Sequence, residues 1–141
     1  MQKRLTRVAI AVLAVSALVG VTAPSNAGVK GIKGGLKIAI MPKAVNIGYF
    51  TAWDKGATNA CAEIGARCTY LGPTQATGAA QVQFINQVIQ QKYNVLVISA
   101  ADQNAIVPAL NKAKAAGITI VTSDADVDPT CLLYTSPSPR D

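Results

Sequence analysis

Between Leu36 and Val121 the apolar positions follow two patterns, short near-continuous runs and runs spaced at three and four residues. Leu36–Met41 (LKIAIM) has strand length and is almost wholly apolar, as expected of a strand covered on both sheet faces. From Tyr49 to Gly65 the period changes: Tyr49, Trp53, Gly56/Ala57, Ala60/Cys61 and Ile64 recur at helical steps, and Gly65 is a natural stop. Arg67–Leu71 is short and β-prone, closed by Gly72-Pro73-Thr74. A second helix is predicted over Gly78–Gln91 with Thr77 as N-cap. Val82, Ile85, Val88 and Ile89 should face inward there, and Gln81, Gln83, Gln87 and Gln90 outward. Asn94–Ile98 (NVLVI) reads as the next buried strand. A third helix follows over Asn104–Ala116, through Ile106, Val107, Leu110 and Ala113, stopped by Gly117. Pro108 is tolerated only near a first turn, so this helix should begin close to Asp102–Asn104. Gly117–Val121 is the fourth strand.

Strands alternating with helices at this spacing predict an α/β fold, a doubly wound parallel sheet with right-handed crossovers. Four strands and three helices make a sheet truncated after the fourth strand. In such sheets ligands bind beyond the carboxyl ends of the strands. The segment that follows the first strand, Pro42–Phe50, is therefore where a site should begin.

The two ends differ from this middle. Met1–Ala27 has the layout of a cleavable secretory signal: Lys3, Arg4 and Arg7, an apolar run Val8–Val21, then Ser25-Asn26-Ala27. That run is short of the roughly 20 apolar residues a spanning helix needs. With no cysteine at the cleavage point, the expected product is a free periplasmic protein rather than a lipid-anchored one. Residues 28–35, a Gly/Lys leader with no apolar period, are expected to be flexible. Cys131–Asp141 (CLLYTSPSPRD) breaks the preceding pattern and resembles a transposon-end sequencing adapter translated in frame. It is read as non-native, which leaves residues 36–130 as a fragment of one domain. Residues 28–130 carry nine Lys/Arg against six Asp/Glu, of which Lys30, Lys33 and Lys37 crowd the start. Scattered charge of this kind predicts a solvated surface and no nucleic-acid partner, since a nucleic-acid footprint clusters on one face.

With no histidine in the chain, His-based nucleophilic triads and His metal sites are excluded. Neither a phosphate-binding loop nor a GxGxxG follows the first strand, and Gly31–Gly35 precedes it, at the wrong end. Polar groups do converge at three strand ends: Lys43 and Asn46, then Asp102, then Asp124. Carboxylates, an ammonium and amides suit a polyol, whose hydroxyls each donate and accept. Tyr49 and Phe50 could cover an apolar sugar face. Each has an ordinary alternative: Lys43 as a solvated loop lysine, Tyr49, Phe50 and Trp53 as core, and Asp102 as a helix N-cap. Asp124-Ala-Asp-Val-Asp lacks the glycine and distal glutamate of a calcium loop, and no metal or cofactor is expected. Cys61 and Cys68, flanking a tight turn at Gly65, are either a disulfide suited to an oxidising compartment or two buried thiols.

The segments KIAIMPKAVNIGYF…KGA, TYLGPT…QVQFIN, VLVISAAD…VPALNKAKAAGI and IVTSDAD together resemble the periplasmic sugar-binding proteins of ABC importers, over about Leu36–Thr130. The rhamnose- and autoinducer-binding branch is the nearest. The resemblance implies two similar α/β lobes closing on a ligand, with this chain holding most of the first. It implies a non-catalytic monomer that binds a small sugar and hands it to an inner-membrane permease. Lys43 and Asp124 match ligand contacts of that branch, and Tyr49-Phe50 match an aromatic pair lining the cleft. Asp102 matches an aspartate of ribose- and galactose-type relatives, where the nearer branch often has serine. Ser123 stands where that branch commonly has tryptophan. A secreted α/β enzyme acting on a small polar substrate is the alternative, with no nucleophile–base pair visible to support it.

Overall fold

A computed structural model describes residues 34–127 and the backbone of 134–135. The secretory signal, residues 28–33 of the leader, Asp128 and Cys131 lie outside the described residues. The elements are β1 (Lys37–Met41), α1 (Gly48–Glu63), β2 (Arg67–Tyr70), α2 (Gly78–Gln90), β3 (Val95–Ile98), α3 (Val107–Ala115), β4 (Thr119–Thr122) and β5 (Tyr134–Thr135). All pair in parallel, in the order β2-β1-β3-β4-β5.

The alternation of β1 assigns its two faces. Ala39 and Met41 pack with Ile85 and Val88 of α2 and Leu110 and Ala113 of α3. Ile38 and Ile40 pack with Cys61 and against Trp53 and Ala57 of α1. The result is three layers, with α1 on one face and α2 and α3 on the other, which is why the strands carry apolar residues on both sides. Burying Ile40, Leu96, Ile98 and Ile120, each at most 2% exposed, stabilises the sheet by about 1.5–3 kcal/mol per side chain.

Boundaries fall close to those read from the periodicity, with two instructive departures. The helix expected from Asn104 starts at Val107. Asp102 Oδ1 accepts the N–H groups of Asn104 and Ala105, both at 2.9 Å, closing a tight turn that delays the helix until Pro108 can occupy its first turn. A two-residue strand, β5, lies within the segment read as adapter-encoded, its residues Tyr134 and Thr135 paired with Val121 and Thr122. An edge strand offers unpaired N–H and C=O groups to any extended neighbour, so two rungs need little sequence specificity.

The helix ends are set locally. Thr77 Oγ1 accepts the Ala80 N–H at 3.3 Å, capping α2 as expected. Gly65 (φ +66°) and Gly117 (φ +83°) end α1 and α3 in the left-handed region, where glycine pays no Cβ penalty. Cys61, on α1, is bonded to Cys68, on β2, with their Cα atoms 6.1 Å apart. No helix among the described residues is long and apolar enough to cross a membrane.

Candidate functional site

Strand order reverses between β1 and β3, whose neighbours β2 and β4 lie on opposite sides. Loops leaving such a pair part from each other at the carboxyl edge and open a crevice. Four side chains meet there. Lys43 Nζ, one residue past Pro42, lies 3.1 Å from Asp124 Oδ2, which sits just after β4. The Ser99 hydroxyl, at the end of β3, donates to the same oxygen at 2.7 Å. From the first turn of α1, the Tyr49 hydroxyl donates to Asp124 Oδ1 at 3.3 Å. The ends of strands one, three and four therefore meet at one edge of the sheet, where the Lys43 ammonium and the Asp124 carboxylate are paired.

Asp124 is the hub. Burial pushes its carboxyl up, but the Ser99 hydroxyl, the Lys43 ammonium and the Tyr49 hydroxyl outweigh that and hold it below the ordinary aspartate value. In return the Asp124 charge raises the Tyr49 phenol. Backbone geometry aims the carboxylate: Asp124 has φ +71°, in a region that costs a non-glycine residue free energy. A bridge between Ser123 and Ala125 and the Ala100 N–H bonded to the Ala125 carbonyl at 3.3 Å hold it there.

The other expected residues fall into place differently. Asn46 is exposed at φ +66° on the bend before α1. Phe50 is 5% exposed, so its faces are covered by protein. Its ring stacks edge-on to Tyr49 at 5.0 Å and to Trp53 at 6.0 Å. Residues adjacent on a helix point about 100° apart, so only Tyr49, 61% exposed, presents its ring outward. Asp102 is engaged with its own turn, whose N–H groups lower its carboxyl further.

Two residues were missed. Ser99 is fully buried and supplies the shortest of these bonds to Asp124. Gln81, expected to face outward, is also fully buried. Its amide Nε2 donates to the Pro42 carbonyl at 3.0 Å and the Ser99 carbonyl at 2.9 Å, and its Oε1 accepts the Ala101 N–H at 2.8 Å. The signal was its spacing: Gly78, Gln81, Ile85 and Val88 form one buried stripe of α2.

Comparison with known proteins places the chain in a family. Over 99 residues, 68% of this chain and 31% of the relative, the sequence is 29% identical to the D-ribose/D-allose-binding protein of Pseudomonas aeruginosa. LsrB from Clostridium saccharobutylicum, solved in complex with AI-2, superimposes with a TM-score of 0.68 at 33% identity, covering 70% of this chain and 30% of that one. A sugar ABC transporter structure from Actinomyces odontolyticus gives 0.68 at 36% identity, over 71% and 32%. A solute binding protein from Clostridium phytofermentas with bound L-rhamnose gives 0.69 at 26%, over 73% and 32%. The chain spans about a third of the length of these relatives. The profile of the periplasmic binding protein domain matches residues 38–141, most of the sequence, and the chain belongs to that family.

Proposed function

We propose that the chain is part of the substrate-binding component of an ABC-type sugar importer, capturing a monosaccharide or related polyol in the periplasm for an inner-membrane permease. The rhamnose, autoinducer and ribose classes are the favoured ligands, in keeping with the AI-2 complex of LsrB, the structure with bound L-rhamnose and the D-ribose/D-allose-binding relative. The observation that carries this reading is the Lys43–Asp124 pair at the switch-point crevice. A hydroxyl inserted between them donates to the carboxylate and accepts from the ammonium, and charged hydrogen bonds of this kind are the strong ones. The exposed Tyr49 ring can cover the C–H face of the same sugar. Asn46 and Asp102 are outlying contacts for the parts of the ligand beyond the pair, and Phe50 acts by backing Tyr49. The leader Met1–Ala27 accords with delivery to the periplasm.

The site is non-catalytic in this reading. Ser99 Oγ donates to a carboxylate held below its ordinary value, and a weakly basic carboxylate is a poor activator of a hydroxyl.

Binding by this chain is expected to be weak, because a small-molecule site normally buries most of its ligand. The test is an amide-resolved NMR titration with L-rhamnose, D-ribose and D-allose. Shifts at 43–49, 99–102 and 124 that vanish in Lys43→Ala/Asp124→Ala support the proposal. Shifts confined to other residues, or unchanged in the double variant, refute it.

A further inference from the structure

We propose that Gln81 is a positioning residue for this site, clamping the diverging ends of β1 and β3 so that Lys43 and Ser99 both reach Asp124. The inference rests on the sugar-site reading only for what the site binds. The clamp itself rests on the hydrogen bonds.

The β1–β3 ladder ends where Ser99 N–H meets the Met41 carbonyl at 2.9 Å. The next rung of this register would run from the Lys43 N–H to the Ser99 carbonyl, but the chain leaves β1 at Pro42 and that bond is not made. Beyond that rung the Pro42 and Ser99 carbonyls are buried acceptors without a ladder partner, and each unpaired buried group is costly. The Gln81 amide supplies one N–H to each and takes the Ala101 N–H on its oxygen. One planar group thus replaces the missing rung and fixes the gap between two loops. The residue after Pro42 is Lys43. Ser99 is itself a clamp partner, bonding the amide through its carbonyl and Asp124 through its hydroxyl. Glutamate at this position would turn a negative oxygen on two carbonyls, and an aliphatic side chain would leave three backbone groups unpaired. Gln81 comes from the buried stripe of α2, between Gly78 and Ile85, so the clamp ties the crevice to the core rather than to another loop.

The experiment uses the whole chain and two substitutions on one helix. Gln81→Met removes the three bonds at similar volume. Val88→Ala, fully buried on the same stripe, lowers stability without touching the clamp. The readout is the titration midpoint of the Asp124 carboxyl, followed by carbon NMR, with Lys43, Tyr49 and Asp126 as the neighbouring titrating groups. In Gln81→Met the midpoint is expected to rise, since burial persists while the Ser99 and Lys43 contacts loosen. Val88→Ala should leave it in place. An unchanged midpoint in Gln81→Met, or an equal rise in Val88→Ala, overturns the proposal. If Gln81→Met does not fold, the wild-type side-chain amide decides. Exchange of its two protons far slower than in the exposed Gln83 supports the clamp, and equal exchange rates overturn it. Sugar titration is read separately on the same samples: absence of sugar binding with a raised midpoint removes the ligand reading and leaves the clamp standing. Where wild type binds, Gln81→Met is expected to bind about tenfold more weakly, the worth of one misplaced hydrogen bond to a charged group.

Discussion

Replacing Ser99 by alanine isolates the hydroxyl that reaches Asp124 Oδ2 at 2.7 Å. A hydrogen bond to a charged partner contributes about 1.5–3 kcal/mol when buried. The Asp124 side chain is 26% exposed and keeps Lys43, so the expected cost at pH 7 is about 1–2 kcal/mol. With a urea dependence of about 1–2 kcal/mol/M for a domain of this size, the unfolding midpoint should fall by about 1 M. Trp53, the chain's one tryptophan, is half-buried against Phe50 and provides the fluorescence signal. The loss should also depend on pH in a particular direction. Asp124 is depressed in the folded protein, so its contribution is fully present above the ordinary value of about 3.9 and is lost as pH falls through the lower folded value. Below that value both proteins hold a neutral carboxyl, and the difference should shrink to the worth of a neutral hydrogen bond, about 0.5–1.5 kcal/mol. A cost at pH 7 below about 0.5 kcal/mol, or one that grows as the carboxyl is protonated, refutes the role given to this bond.

Three further outcomes are expected. A Cβ at Gly78 would lie 2.6 Å from the Ala105 Cβ and 3.0 Å from that of Asp102, so Gly78→Ala should destabilise by about 1–3 kcal/mol. Adding Ala105→Gly should recover most of the loss in thermal unfolding. Reducing the Cys61–Cys68 bond, which spans a sequence separation of 7, should cost about 2.5 kcal/mol by loop entropy; identical urea curves with and without reductant would contradict this. Tyr49→Phe removes a hydroxyl at the exposed rim and should lower stability at neutral pH only slightly, in step with a small rise in the Asp124 titration midpoint, because one donor to the charged form is gone.

How much of this could be read from the sequence depends on where each residue draws its environment. The strands and helices were legible because their burial is periodic: β1 alternates between two covered faces, and α2 repeats at three and four. Lys43 and Asp124 were legible as strand-end residues, because parallel topology alone brings those ends to one edge. Gln81 was not, because among Gln83, Gln87 and Gln90 it reads as solvent-facing. Its spacing puts it on the buried stripe of α2, but the partners that make a buried amide tolerable, the Pro42 and Ser99 carbonyls, lie in two loops that no local pattern specifies. Phe50 was paired with Tyr49 by adjacency, whereas helical rotation turns one ring out and the other in. The late start of α3 depended on a competition between the Asp102 side chain and the helix for the same N–H groups.

The left-handed turn at residue 124 limits which amino acids this rim can accept. Only aspartate, asparagine and glycine occupy that conformation cheaply, so drift at the hub is confined to keeping the charge, neutralising it or deleting the side chain. On the proposed sugar-binding reading, retuning the crevice toward a new solute would have to proceed through positions 43 and 49, where the backbone is unconstrained in this sense. Within one lineage, selectivity should therefore diverge around a nearly fixed acid rather than by replacing it.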